Sequence, residues 1–483
     1  MAVQAAPGWD LQPSAQKQVL ETNYITNFDF LNQYLPDTYE KEFERYGNRT
    51  IASFLRMVGA EMPTNSDMIK WAEQGRLHTK YTNCTLAGGG AGVATTANVT
   101  INDVFNPTLV ASQTTPAVRV GQTVMLSDNV VGSTLTNKAV VTAINVGANP
   151  LVITVAFYEA TQLVPNGGVG CTMFIYGSEF KKGETGMVGS LEADDVFFSN
   201  KPIILKDTYQ VSGSDMAQIG WVEITSENGA NGYLWYLKSE HDTRLRFEDY
   251  LETSMIEAVP AANASGAEAA LSSAAGGAGI VNAGSEGIFY VVNDRGNVWG
   301  GGNPTTLAGF DSVIQRLDKQ GAIEENVIFV NRQYSFDIDD MLAAQNSYGA
   351  GGTSYGLFDN DADMALNLGF TGFRRGYDFY KSDWKYLNDP TMRGGITAGA
   401  VNGLLVPAGS TSVYDQILGK NAKRPFLHVR YRASETEDRR YKTWITGSAG
   451  GARTSDLDAM TVNFLSERAV CTLGANNFFL FQQ

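Results

Sequence analysis

An α+β chain of several domains is what this sequence predicts, on three observations. One stretch sustains helical periodicity unusually far, one is nearly uncharged and alternates like short strands, and a later one alternates strand and helix signals. The first stretch reads GANGYLWYLKSEHDTRLRFEDYLETSMIEAVP (229–260). Leu234, Leu237, His241, Leu245, Leu251, Met255 and Val259 recur at three-, four- or six-residue steps, and Lys238, Glu240, Asp242, Arg246, Glu248, Asp249 and Glu252 are expected on the wet faces. Asn228 or Asn231 can cap its start, and Pro260 stops it. About 28 residues at 1.5 Å each make a rod of roughly 42 Å, which serves equally as an ordinary packing helix or as the spine of a domain.

In chain order, residues 1–35 are polar, aperiodic and broken by Pro7 and Pro13, so they read as an extended arm that adds nothing to its own core. A helical segment is expected within 36–66, interrupted near Gly47, and 67–80 leads outward as a helical turn and strand. Residues 85–170 contain only five charged side chains, Asp103, Arg119, Asp128, Lys138 and Glu159. β-branched runs at 97–102, 117–127, 138–146 and 151–158, separated by Gly and Asn-Pro turns, predict an inserted all-β barrel or sandwich. A returning strand is expected within 168–186, and two long strands broken at Gly213 within 201–224.

Beyond Pro260, the Ala/Gly/Ser stretch 261–279 reads as a connector or surface loop. Strand 287–292, helix 306–320, strand 326–331 and helix 335–345 then predict a small α/β sheet. Residues 349–356 read as a loop, and 372–387 as an aromatic-rich strand pair or long strand. From 424 the sequence RPFLHVRYRASETEDRRYKTWITG alternates, with Leu427, Val429 and Tyr431 on one face and His428, Arg430 and Arg432 on the other. It predicts a hairpin turning at 435–438, followed by one or two strands in 460–483.

The 483 residues, 43% hydrophobic and 18% charged, exceed what one core usually holds, so two to four domains are expected. Cys84, Cys171 and Cys471 are odd in number and lack CxxC spacing, which predicts three buried thiols and neither a disulfide framework nor a zinc site. The amino terminus lacks a basic region followed by an apolar run, and no 18-residue apolar segment exists, so no signal peptide or membrane span is expected. The Asn-X-Thr triplets at Asn48, Asn83 and Asn98 then say nothing of glycosylation. A net charge of −15 disfavours a surface built to neutralise phosphates, and suits a protein that must not adhere to a polyanion beside it.

Signals of chemistry are sparse. His78, His241 and His428 fall in three different expected elements, which disfavours a histidine-based triad or metal site. The glycine runs 88–90 and 300–302 lack phosphate-loop spacing. Asp359, Asp361 and Asp363 resemble the start of a calcium loop, but Met364 stands at the turn glycine and Phe370 at the bidentate glutamate, so helix capping explains them better. No catalytic, cofactor-binding or metal residue is nominated. Paired carboxylates for glycoside cleavage stay open, since 51 acidic residues always offer pairs.

The order of parts resembles the major capsid proteins of tailed bacteriophages, the Hong Kong 97-like fold. The resemblance rests on the strands in 201–224, the helix 231–258, the α/β segment 287–345 and the hairpin 426–446. It spans nearly the whole chain and is one of architecture, because the family has no short signature motif. It implies a Hong Kong 97-like capsid fold with a long spine helix, an extended β-hairpin loop, a central α/β domain and an inserted small all-β domain. The expected parts are an arm (1–35), a helical segment (36–66), an extended loop (67–200) carrying the insertion (85–170), a peripheral domain with the spine helix (201–269), an axial domain (270–420) and late strands (421–483) returning to the peripheral/axial core.

The insertion departs from the simplest members and is similar to the larger type. The resemblance further implies a non-enzymatic shell protein, made in the host cytoplasm, that self-assembles into hexamers and pentamers of an icosahedral head. Decoration, portal or scaffold proteins would be its other partners, and it would enclose DNA without sequence-specific binding. Some members cross-link Lys to Asn through a nearby Glu; Lys181 and Lys182 lie in the corresponding loop, but no partner is identifiable and none is assigned. A glycan-binding or glycan-cleaving β-rich protein and a phage tail or baseplate protein are the alternatives.

The contact candidates are basic. Residues 420–453 carry nine Lys or Arg against three acidic residues in an otherwise acidic chain. Alternation places Arg430 and Arg432 on one strand, with Arg440 and Lys442 on the other, projecting together opposite Val429 and Ile445. A solvated face, packaged DNA and the acidic residues of a neighbouring subunit are the three destinations for these charges.

Overall fold

The computed structural model describes residues 60–75, 80–87, 95–102, 117–129, 133–145, 150–159, 170–189, 195–218, 224–225, 231–232, 234–271, 283–321, 323–346, 371–415, 420–449 and 453–483. The expected arm, residues 36–59 of the expected 36–66 helical segment, His78, the 349–356 loop and Asp359, Asp361 and Asp363 lie outside the described residues. Two compact units result: one is Lys70–Ser199, the other the remainder.

Strand β1 (Ala60–Thr64) belongs to the larger unit, and β2 (Ile69–Gln74) leads into the smaller one. There β3 (Lys80–Ala87), β4 (Thr96–Ile101), β5 (Gln122–Asp128), β6 (Thr136–Asn145), β7 (Leu151–Phe157) and β8 (Cys171–Ser178) close into an antiparallel barrel of order β3-β4-β7-β6-β5-β8. Strand β9 (Asp195–Asn200) then returns beside β2 as a two-stranded ribbon. The four expected strands all form, because their alternation sends Val99, Val124, Val141, Ile153 and Val155 inward, all essentially fully buried. The boundary of the insertion differs from 85–170: the first and last staves lie largely outside it, and Tyr81 and Met173 belong to the barrel core. The Tyr81 hydroxyl accepts from the Ala117 N–H at 3.2 Å, and burial pushes its pKa up to about 12.

The larger unit resumes with β10 (Ile203–Ser212). Instead of a second long strand after Gly213, the chain forms a short helix α1 (Gly213–Gln218) and the two-residue strands β11 (Ile224–Thr225) and β12 (Asn231–Gly232). Asn231 is paired with Thr225 in that ribbon. That helix, α2 (Leu234–Glu257), is the long one, 24 residues and about 36 Å. Its buried face is the expected one only in part, at Leu251 and Met255. Thr243, Phe247, Asp249, Leu251, Glu252, Met255 and Ile256 are buried, while His241 and Val259 are exposed. Asp249 and Glu252, assigned from charge to the wet faces, lie inside.

The 261–279 stretch contains a helical turn, α3 (Gly266–Leu271), begun by a reciprocal cap: the Ser265 hydroxyl accepts from the Glu268 N–H, and the Glu268 carboxylate from the Ala264 N–H. The strand expected at 287–292 is helix α4 (Ile288–Arg295), whose buried Ile288, Phe289, Val291 and Val292 recur at helical spacing. Gly287 precedes it because a Cβ there would stand 2.7 Å from the Ala258 backbone at the end of α2. Strand β13 (Asn297–Trp299), helix α5 (Leu307–Gln320), strand β14 (Glu325–Val330) and helix α6 (Arg332–Asn346) follow. Thr306 caps α5 by accepting from Gly309 N–H.

The remaining elements are β15 (Gly372–Arg375), β16 (Tyr377–Asp383), α7 (Lys385–Asn388), β17 (Val401–Pro407), β18 (Ser410–Asp415), β19 (Lys420–Pro425), β20 (Leu427–Arg432), β21 (Lys442–Gly447), β22 (Ala459–Thr472) and β23 (Phe479–Gln482). Two sheets organise the unit. A six-stranded mixed sheet has order β13-β23-β17-β14-β16-β15, and a five-stranded one runs β1-β20-β22-β10 with β21 also on β22. Helix α2 serves both. Phe247 and Leu251 pack on Met460, Val462 and Phe464 of the five-stranded sheet, while Met255 and Ile256 join Ile288, Phe289 and Trp384 in the core reaching the six-stranded one.

Candidate inter-subunit surface

The basic segment is where sequence reasoning placed contact residues, and its topology differs from a hairpin. β20 and β21 do not pair with each other. Each pairs with the 14-residue β22, β20 along Arg468–Thr472 and β21 along Met460–Leu465, so together they make one strand interrupted by the excursion 433–441. The excursion is closed by an Ala433–Asp438 bridge and by the Arg439 N–H donating to Arg432 O at 2.9 Å. Arg440 therefore sits in the excursion, one residue past the Arg439 N–H that donates to Arg432 O.

Parallel pairing of β1 with β20 carries Glu61 and Asp67 to the same place. Arg432 contacts Asp67 and lies 3.6 Å from Glu467; Arg439 Nε meets Glu467 at 2.8 Å. Arg440 contacts Glu61, which Arg468 approaches at 3.6 Å, and Lys442 reaches Glu437 at 2.8 Å. Arg468 is buried and donates to Ser466 Oγ and Arg440 O. Arg430 is half-buried. Its Nη1 donates to Pro63 O at 3.3 Å, its Nε has no partner, and burial pulls its guanidinium below the ordinary arginine range. The Lys442 ammonium in turn holds the Glu437 carboxyl below the usual carboxylate range.

Five of these cations, Arg432, Arg439, Arg440, Lys442 and Arg468, thus meet carboxylates of their own chain. Those with most side-chain surface in water are Arg440 at 55% and Lys442 at 42%. Val429 is buried as expected, whereas Ile445 is exposed. Exposed Phe197, Ile204, Tyr380 and Leu457 add apolar surface elsewhere, the kind that association covers.

Chemistry elsewhere has three candidates, two histidines and a groove. His428 is buried in β20, 3.3 Å from Pro425 O, and burial with the nearby Arg430 and Arg424 charges pulls its pKa down to about 4. His241 lies on α2, its Nδ1 3.1 Å from Arg244. An open groove of about 480 Å³ on the barrel is lined by Thr123, Lys138, Tyr158, Glu159, Tyr176 and Glu179. The Tyr158 hydroxyl donates to Glu179 at 2.6 Å, and Lys138 lies 5.8 Å from the Tyr176 ring centre. Among the described residues no group of three or more His, Cys, Asp or Glu is placed to hold a metal, and no helix is long and apolar enough to cross a membrane.

No family model and no curated protein matches the chain. Among solved structures it is similar to one from Microbacterium phage Oxtober96, at 9% identity and a TM-score of 0.39 over 93% of this chain and 96% of that one. A structure from Mycobacterium phage Ogopogo aligns at 8% identity and a TM-score of 0.40, covering 94% and 98%. The capsid of a native GTA particle aligns at 10% identity and a TM-score of 0.35, covering 93% and 96%.

Proposed function

We propose that this chain is the major capsid protein of a tailed bacteriophage, of Hong Kong 97-like fold, and that it self-assembles into the icosahedral head shell that encloses the phage DNA. The observation that carries the reading is the order of parts. A two-stranded ribbon leads to an inserted barrel; a long helix then lies on a five-stranded sheet built from β1, β10 and the late strands; a mixed sheet with its own helices lies between them in sequence except for its last strand, β23. The role is structural and non-enzymatic, the partner is further copies of the chain as hexamers and pentamers, and the location is the virion after synthesis in the host cytoplasm. Decoration, portal or scaffold proteins are further head partners. Arg430, Arg432, Arg440 and Lys442 are offered as contacts to a neighbouring subunit, with Arg440 and Lys442 best exposed for it.

Sedimentation velocity with negative-stain microscopy of the expressed chain tests this. Closed shells sedimenting at megadalton mass are expected; a monomer that stays monomeric at high concentration and in assembly-promoting salt would refute it.

A further inference from the structure

Sequence alone predicts buried thiols at Cys84 and Cys171, and the barrel makes them a pair. β3 and β8, the first and last staves of the inserted barrel, run antiparallel, and Cys84 stands directly opposite Cys171 in their register, just past a one-residue slip after Tyr81. Directly opposed residues on antiparallel strands send side chains to the same face with Cα atoms about 4.5–5.5 Å apart, within the span a disulfide bridges. Both side chains point into the barrel, where each is fully buried and packed in the same apolar core. Neither forms a disulfide in the structure, and the Cys84 thiol donates to Tyr81 O at 3.9 Å. The third cysteine, Cys471, stands opposite His428 in the other unit and has no such partner.

We propose that Cys84 and Cys171 are a disulfide site that, once oxidised by a low-molecular-weight disulfide such as oxidised glutathione, covalently joins the entry and exit strands of the barrel. One cysteine thiolate attacks a sulfur of the oxidant, forming a mixed disulfide and releasing one small thiolate. The second cysteine then attacks the protein sulfur of that mixed disulfide and releases the other. Two protein thiols lose two protons and two electrons, and one small disulfide is reduced to two thiols, so the exchange balances.

Burial sets the timing. Loss of water pushes the Cys171 thiol up to about 12, with the Asp128 charge adding to it, so the closed barrel holds little thiolate and reacts only on opening. The same burial shields the finished bond from reductants. Closure would fix the two ends of an 88-residue loop, where restricting the unfolded chain has a large effect. A protein kept reduced during synthesis would thereby gain the staple after reaching an oxidising medium.

The test uses the full-length chain, incubated with oxidised glutathione in sub-denaturing guanidinium, quenched by alkylation and digested with trypsin without reduction. Expected is a 2 Da mass loss and a linked pair of the peptides 81–119 and 139–181, with Cys471 recovered alkylated. The oxidised protein should also show a barrel transition raised by about 10 °C, reversed by reductant and absent in Cys84→Ser. Recovery of Cys84 and Cys171 as separate glutathione adducts, or as alkylated thiols, overturns the proposal whether or not the serine variant folds.

Discussion

Asn200, at the root of the inserted unit, is the position whose replacement should be most informative for its size. It is 3% exposed and makes five hydrogen bonds. Its Nδ2 donates to Glu286 O at 2.9 Å and Val470 O at 2.6 Å, while its Oδ1 accepts from the Ser285 hydroxyl at 2.9 Å, the Glu286 N–H at 2.8 Å and the Lys201 N–H at 2.7 Å. One amide, on the residue where the chain re-enters the larger unit, therefore joins the C-terminal end of β22 to the segment that starts α4.

Asn200→Leu keeps the volume and removes every bond. The Lys201 N–H is partly exposed and the Ser285 hydroxyl can rotate, but two carbonyls and the Glu286 N–H are left without their partner in a dry site. At roughly 1–2 kcal/mol for each, the cost is about 4 kcal/mol, a large share of the ~5–15 kcal/mol that holds a domain together. Urea unfolding followed by tryptophan fluorescence should show the midpoint of the larger unit falling by about 1 M. Asn200→Asp is the sharper control, since it sets a carboxylate oxygen against two carbonyls where a donor stood, and should cost at least as much at neutral pH. A leucine variant within 0.5 kcal/mol of wild type, or a tolerated aspartate, would refute the reasoning.

Three other outcomes follow from the same structure. His428 has its folded pKa depressed to about 4 against 6.5, so the unfolded chain binds the extra proton between those values. Stability is then full above pH 6.5 and falls by about 3 kcal/mol as pH drops to 4; His428→Gln should flatten that slope in pH-dependent denaturation, and an unchanged slope would assign it to other groups. Replacing residues 76–194 by a short turn, so that β2 meets β9 directly, should leave cooperative unfolding of the larger unit intact, whereas excising 85–170 strands Tyr81 and Met173 without their core and should produce aggregation; the reverse order in light scattering would place the boundary wrongly. Arg440→Glu with Lys442→Glu should slow assembly severalfold with a melting change under about 1 kcal/mol, both being largely exposed, and assembly at wild-type rate would remove them from the contact.

How much was legible in the sequence depended on whether a residue's environment is set by its near neighbours. The barrel strands were legible because every second residue is buried, and alternation records that directly. Helix α5 announced itself by Thr306 and its period. Ile288–Arg295 did not, because an unbroken apolar run carries the same letters whether it becomes a buried strand or a buried helix, and the deciding contact is Gly287 against Ala258, on the α2 end. Asp249 and Glu252 misled for the opposite reason: charge is a sound guide to exposure only until tertiary structure supplies an interior partner. Asn200 carried no signal at all, since all of its bonds except the one from the adjacent Lys201 N–H go to residues 85 to 270 positions away.

The basic segment shows the same limit at the level of charge. Counted along the chain, 420–453 reverses the sign of an acidic protein and asks for an outside partner. Counted in space, much of the reversal is answered from within: Asp67 reaches Arg432 across 365 positions, Glu61 arrives on β1, and Glu467 stands on β22 between Arg432 and Arg439. A window of sequence cannot see this, because strand order decides which carboxylates share the sheet. For a neighbouring subunit the consequence is exchange instead of addition. Its carboxylates would have to displace Glu61 from Arg440 and Glu437 from Lys442, so each new pair is gained at the loss of an old one and the net per pair is small. Such contacts set register and salt sensitivity well, while the strength of association has to come from apolar surface such as the exposed Phe197, Ile204 and Leu457.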